Sequence, residues 1–138
     1  MKDIADLIGR VLIGFIFLYE VLDSVVYFDK TKQTMIEYGL SWKPDILLVG
    51  AILLLSIGSF SVLIGYQARI GATLLLIYWL VFTVVVYSFW NDPEDIKQLH
   101  AIYFMRNLAI CGGLFILIAN GAGKYSVNRL IHVMRLPK

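Results

Sequence analysis

Charge is scarce in this chain, and so are the residues that most redox and metal chemistry needs. Only 16% of its 138 residues are charged, one is cysteine and two are histidine. The single cysteine, Cys111, excludes a thiol–disulfide mechanism run by this chain alone, because that exchange needs a second thiol. Cys111 reads instead as a small packing residue. His100 and His132 fall at opposite faces of the apolar part of the chain, so they cannot both be axial ligands of one haem. There is no HExxH, no Glu-x-x-His and no phosphate-binding glycine loop, so no metal site is expected. Asn120-Gly-Ala-Gly-Lys124 has the glycines, but it follows a long apolar run and reads as a helix stop. Nothing has the pattern of a nucleic-acid module, and no nucleic-acid partner is expected.

What the chain has is apolar length. It is 59% hydrophobic, with a mean hydropathy of +0.78, well above a soluble domain. A bilayer-spanning helix needs about 20 mostly apolar residues. Residues 46–68 and 70–91 carry no charge. Residues 107–123 carry none either, and that run extends back past Arg106 to about Ala101. The first apolar stretch, about 4–28, has a short uncharged centre at 11–19, flanked by Arg10, Glu20 and Asp23. It reads as a span whose charges the other three shelter. A signal peptide is the rival reading. Asp3 and Asp6 dilute its basic start, however, and no small-x-small cleavage site follows Tyr19. The expected fold is therefore all-α: one integral-membrane four-helix bundle over residues 1–138, with spans near 4–28, 46–66, 70–90 and 101–121.

Orientation follows from the basic residues of the short loops. One side holds Lys2, Arg69, Lys124, Arg129, Arg135 and Lys138; the other holds Lys30, Lys32, Lys43 and Lys97, diluted by six acids. Both termini are expected in the cytoplasm, with the turn at residues 65–69. Residues 29–45 and 91–98 would face outside. In the first of these, Thr31 can cap a short surface helix that Gly39 ends. Met35, Ile36, Tyr38 and Leu40 form its apolar side. A second surface helix is expected in the tail. There Val127, Leu130, Val133 and Met134 fall together, opposite Lys124, Asn128, Arg129, His132 and Arg135. Such a helix suits anionic lipid headgroups; a plain solvated basic tail fits equally. Small residues at helix-contact spacing, Ser61 and Gly65, Ala68 and Ala72, Ala109 and Gly113, with the Gly112-Gly113 doublet, allow close helix contacts.

Ionisable groups inside a bilayer are costly, and tend to be paired or functional. Glu20 and Asp23 lie about one to two turns inside the outer end of span one, and Arg106 lies at a similar depth in span four. An ion pair between Arg106 and Glu20 or Asp23 is the natural expectation. Arg10, near the inner end, can snorkel to the headgroups. Tyr19, Tyr87, Trp90, Asn91, His100, Tyr103 and Asn107 crowd the same outer boundary. One reading is an aromatic belt over a structural ion pair. Another is a pocket for a flat, lipid-soluble carbonyl compound such as a quinone, with Arg106, Asn107 and His100 on the polar head. A proton or ion path is the third.

Phe89-Trp90-Asn91-Asp92 at the end of span three, Phe104-Met-Arg106-Asn107-Leu-Ala-Ile-Cys-Gly112-Gly113 and Gly121-x-Gly123-x-x-Ser126 resemble the third- and fourth-helix motifs of the DoxX family of small four-helix membrane proteins. Arg10, Gly14 and Phe17 lie at that family's offsets in span one. Where many relatives carry Gly and then Lys three residues later, this chain has Val21 and Ser24, beside Glu20 and Asp23, so the local charge is acidic. The resemblance implies a bacterial or archaeal plasma (inner) membrane protein. The family takes its name from a small subunit of a terminal quinol oxidase, and other members are discussed as parts of redox or stress-response assemblies. No cofactor is evident in the chain itself; quinone or quinol is the ligand that the resemblance and the outer cluster suggest. The expected partners are membrane lipids, a redox partner protein or a second copy of this chain. Two functions stay open: a redox-linked quinone or quinol subunit, and a non-catalytic membrane scaffold or assembly subunit.

Overall fold

The computed structural model describes residues 2–134. Arg135 and Lys138, counted above among the charges of the C-terminal side, lie outside the described residues. Six α-helices follow one another: α1 (Lys2–Val26), α2 (Phe28–Glu37), α3 (Pro44–Ile64), α4 (Ala68–Val86), α5 (Glu94–Asn120) and α6 (Val127–Met134). A 3₁₀ turn at Phe89–Asn91 joins α4 to α5, and no strand occurs among the described residues. At about 1.5 Å per residue, α1, α3, α4 and α5 run about 28–40 Å. The hydrocarbon core they must cross is about 30 Å thick. Three helices are long and apolar enough on their own: α3, α4 with the turn that follows it, and α5. The charges on α1 set it apart. It meets the same standard only jointly with α2, from which a bend of 96° divides it.

Two helix starts differ from the sequence expectation. Thr31 does not cap α2. The helix begins at Phe28, so Thr31 is already inside it, with its N–H donating to the Tyr27 carbonyl at 2.9 Å. The other end is as expected. Gly39, at φ +87°, turns the chain, and the Leu40 and Gly39 N–H groups donate to the carbonyls of Met35 and Ile36. The fourth long helix starts at Glu94, not near Ala101. Pro93 precedes it, and Glu94 and Asp95 occupy its first turn, where the helix dipole favours negative charge.

The four long helices form an antiparallel bundle in which α3 packs on α1 and α4, and α4 on α5, while α1 meets α5 only lightly. Phe17, Leu55, Leu75 and Leu114 are fully buried at its centre. The Phe17 ring meets Trp79 edge-on, with centroids 5.1 Å apart. Close approach of α3 and α4 depends on Gly58 and Gly71. A methyl group on Gly71 would lie 2.7 Å from the Ser61 Cβ and 3.0 Å from the Gly58 carbonyl oxygen. Gly113 likewise faces Ile13 of α1, whereas Gly112 faces open space. Outward-facing Leu53, Ile57, Ile77, Ile102, Phe115 and Ile116 remain exposed. Helices that are apolar on the outside as well as the inside have lipid as their solvent.

Candidate functional site

Polar groups gather at both ends of the bundle. At the end away from the termini, the start of α5 brings His100, Tyr103, Arg106 and Asn107 round one side. The His100 Nδ1 lies 2.7 Å from Asp92 Oδ2. A carboxylate only accepts, so the His100 Nδ1 is the donor in this contact. The Tyr87 ring stands edge-on to both His100 and Tyr103, with centroids 5.5 and 5.4 Å apart. The Arg106 guanidinium sits over the Tyr103 ring at 4.9 Å. Its Nη2 lies 3.5 Å from the Asn107 Oδ1. Asn107 is fully buried, and its Nδ2 has no hydrogen-bond partner.

The direct ion pair expected between Arg106 and Glu20 or Asp23 is not formed. Among the described residues the Lys and Arg ion pairs are Lys32–Asp45, Lys97–Glu94 and Lys124–Asp3. The reason is directional. Arg106 is drawn over Tyr103, while Glu20 borders a cavity among α1, α2, α3 and α4. Two other expected members also stand apart. Trp90 is exposed and joins Phe89 and Phe104 in a separate aromatic group. Asn91 is exposed on the 3₁₀ turn.

That cavity holds about 260 Å³ and is mostly apolar. Leu48, Val81 and Phe82 line it, with the phenols of Tyr38 and Tyr78. Glu20 and Ser24, one helical turn apart on α1, supply its polar wall, and among the described residues Glu20 is the one charged side chain lining it. Helix α2 covers it through Thr31, Thr34, Met35 and Tyr38. A 2.8 Å ion pair between Lys32 and Asp45 ties α2 to the start of α3. The Asp45 carboxylate holds the Lys32 ammonium above its usual value, so this tie stays charged until strongly alkaline pH. Sequence reasoning missed Ser24, Tyr38, Tyr78 and Phe82. The available signal was the i, i+4 spacing of Glu20 with Ser24 and of Tyr78 with Phe82.

At the end that carries the termini, Arg10 does not snorkel. It is 3% exposed. Its Nη2 donates to the Tyr125 carbonyl at 2.6 Å and its Nη1 to the Ala122 carbonyl. The last carbonyls of a helix lack intrahelical partners and carry the negative end of its dipole. Here Gly121 and Gly123, both at positive φ, turn the chain after α5 so that two of the carbonyls that follow meet Arg10. Lys124 and Asp3 pair at 3.1 Å nearby.

Long outward-apolar helices, a polar cluster at each end and an apolar cavity beneath a surface helix define a small all-α membrane protein. The chain belongs to the DoxX family, whose model matches residues 5–88. That match covers α1 to α4 and stops before the Trp90 and Arg106 stretches that carry the sequence resemblance. The chain is 29% identical over 132 residues to the inner membrane protein YqjF of Escherichia coli K12, covering 96% of this chain and 95% of that protein. It is 33% identical over 69 residues to the Surfeit locus protein 4 homolog of Schizosaccharomyces pombe, over 49% of this chain and 23% of that protein. With the Surfeit locus protein 4 homolog of Drosophila melanogaster the identity is 23% over 130 residues, 92% of this chain and 41% of that protein. This chain thus spans less than half of either Surfeit relative. No solved structure matches it significantly.

Proposed function

We propose that this protein binds a quinone or quinol in the cavity under α2, as a redox-linked subunit of a larger membrane assembly. The observation that carries this reading is the cavity itself: an apolar, aromatic-lined space beneath α2, with two polar groups, Glu20 and Ser24, on one wall. Ligand sites pair an apolar lining with a few placed polar groups, and typically measure about 300–1,000 Å³. At about 260 Å³ this one takes a ring and leaves an isoprenoid tail in the bilayer. The Ser24 hydroxyl can donate to a ring carbonyl, and the Glu20 carboxylate can accept from a ring hydroxyl. The cluster of His100, Tyr103, Arg106 and Asn107 then lies beside the ligand site and does not form it. On this reading the protein sits in a bacterial or archaeal inner membrane with both termini cytoplasmic, an orientation that the basic residues of the short loops support.

The test uses Trp79, whose ring stacks on Phe82 with centroids 5.2 Å apart. In a Trp42→Phe, Trp90→Phe background, a short-chain quinone is titrated into the purified protein. Saturable quenching that Ser24→Val and Tyr78→Leu both weaken is the expected result. Quenching that His100→Ala abolishes and Ser24→Val leaves intact would move the site to the α5 cluster. No saturable quenching would leave the scaffold reading.

A further inference from the structure

We infer that the end of the bundle carrying the termini holds a second binding site, for a phosphate-type oxyanion. A cleft of about 610 Å³ opens there between the α3–α4 turn, the exit of α5 and α6. Its charged lining is of one sign. Arg69, Arg129 and His132 border it, with the side-chain amides of Gln67, Asn120 and Asn128, and no carboxylate lines it among the described residues. The three basic groups come from two different elements, α4 and α6, so the fold gathers them; they are not a run in the sequence.

The carbonyls at the end of α5 and in the turn that follows it are the natural objection, because they would repel an anion. Arginine side chains meet several of them. Arg10 takes those of Ala122 and Tyr125, and Arg69 lies 3.4 Å from that of Ala119. Of the nearby carboxylates, Asp3 pairs with Lys124 and Asp6 lines a separate cavity with Arg10. The start of α4 adds to the same polarity. Gln67 makes no side-chain cap. The first helical bonds come from the Ile70 and Gly71 N–H groups, so the N–H groups of Ala68 and Arg69 precede them at the positive end of the dipole. Arginine, amide and free backbone N–H are the donors that phosphate oxygens select. The phosphate can sit on an anionic lipid headgroup or on a soluble compound, and the cleft faces the side where either would be met.

The experiment reconstitutes the full chain in nanodiscs of mixed phosphatidylcholine and phosphatidylglycerol, and reads the lipids retained on gentle extraction by native mass spectrometry. A parallel arm adds inorganic phosphate to the protein in phosphatidylcholine alone and follows its thermal midpoint. Wild type is expected to retain phosphatidylglycerol over phosphatidylcholine, or to be stabilised by phosphate at low millimolar concentration. The first result assigns the oxyanion to lipid, the second to a soluble compound. Arg129→Gln with His132→Gln is expected to reduce the preference by about five-fold or more, the typical effect of one basic residue at an anionic surface. Arg129→Lys, which keeps the charge, is expected to retain most of it. Should the double variant fold poorly by circular dichroism, Arg129→Gln against Arg129→Lys makes the same comparison. Equal retention of the two lipids with no effect of phosphate overturns the site. So does a preference that Arg129→Gln leaves unchanged.

Discussion

Arg10 and Tyr125 lie at opposite ends of the chain, yet the Arg10 guanidinium donates a 2.6 Å hydrogen bond to the Tyr125 carbonyl. With the second bond to Ala122, one side chain of α1 fastens the exit of α5 and the approach to α6. Charge-assisted hydrogen bonds contribute about 1.5–3 kcal/mol each. Arg10→Leu would remove both and leave two carbonyls short of a donor. It is expected to lower the thermal midpoint in detergent clearly more than Arg106→Leu does. Arg10→Lys, with its single ammonium, is expected to recover only part of the loss. Equal midpoints for the two leucine variants would show that the clamp contributes little.

Gly65 is the second element of that clamp. It sits at φ +76°, and a methyl group there would come within 2.5 Å of the Arg10 Nη1 and 2.7 Å of the Ser126 Cβ. The left-handed backbone alone costs an L residue about 1–2 kcal/mol. Gly65→Ala is therefore expected to destabilise the protein by at least that much, while Gly112→Ala, which faces open space, is expected to be near neutral. The two midpoints measured side by side check this. A tolerated Gly65→Ala would mean that the α3–α4 turn relaxes freely.

The all-α membrane bundle was legible from apolar run length, because a span has to be apolar over a fixed distance. The surface helices were legible from amphipathic spacing and from Gly39. Helix starts were not, because the chain turns at Tyr27 directly into α2, which puts Thr31 inside that helix, and because Pro93 opens α5 before its apolar run begins. The site was legible only in part. Depth along a helix follows from counting residues, which placed Glu20 and Arg106 at one level. The direction each side chain takes round its helix depends on packing partners, and Tyr103 and the cavity wall drew those two apart. Arg10 was misjudged for the same reason. Its partners are carbonyls, which composition does not reveal.

Topology has its own test. With both termini on the side of Arg69, Lys124 and Arg129, a reporter active only outside the cytoplasm is expected to be silent when fused after Lys138 and active when inserted at Lys43, between α2 and α3. The reverse pattern would invert the protein. It would then set the cationic cleft against the outer leaflet and the α2 cavity against the inner one.

Arg106 decides between a structural ion pair and the arrangement found here. If it paired with Glu20, losing Arg106 would strand a buried carboxylate, at a cost of about 3–5 kcal/mol, and Glu20→Gln would relieve it. The structure instead gives Arg106 an aromatic partner at 4.9 Å and leaves its side chain exposed. A cation over a ring at such a position is worth about 0.5–1 kcal/mol. Arg106→Leu is therefore expected to lower the midpoint only slightly, Tyr103→Leu added to it is expected to cost less than it does in wild type, and Glu20→Gln is expected to rescue nothing. The readout is the thermal midpoint of the single and double variants in one detergent. A clear rescue by Glu20→Gln would show that the two groups meet in the membrane, and would take Glu20 away from the ligand wall.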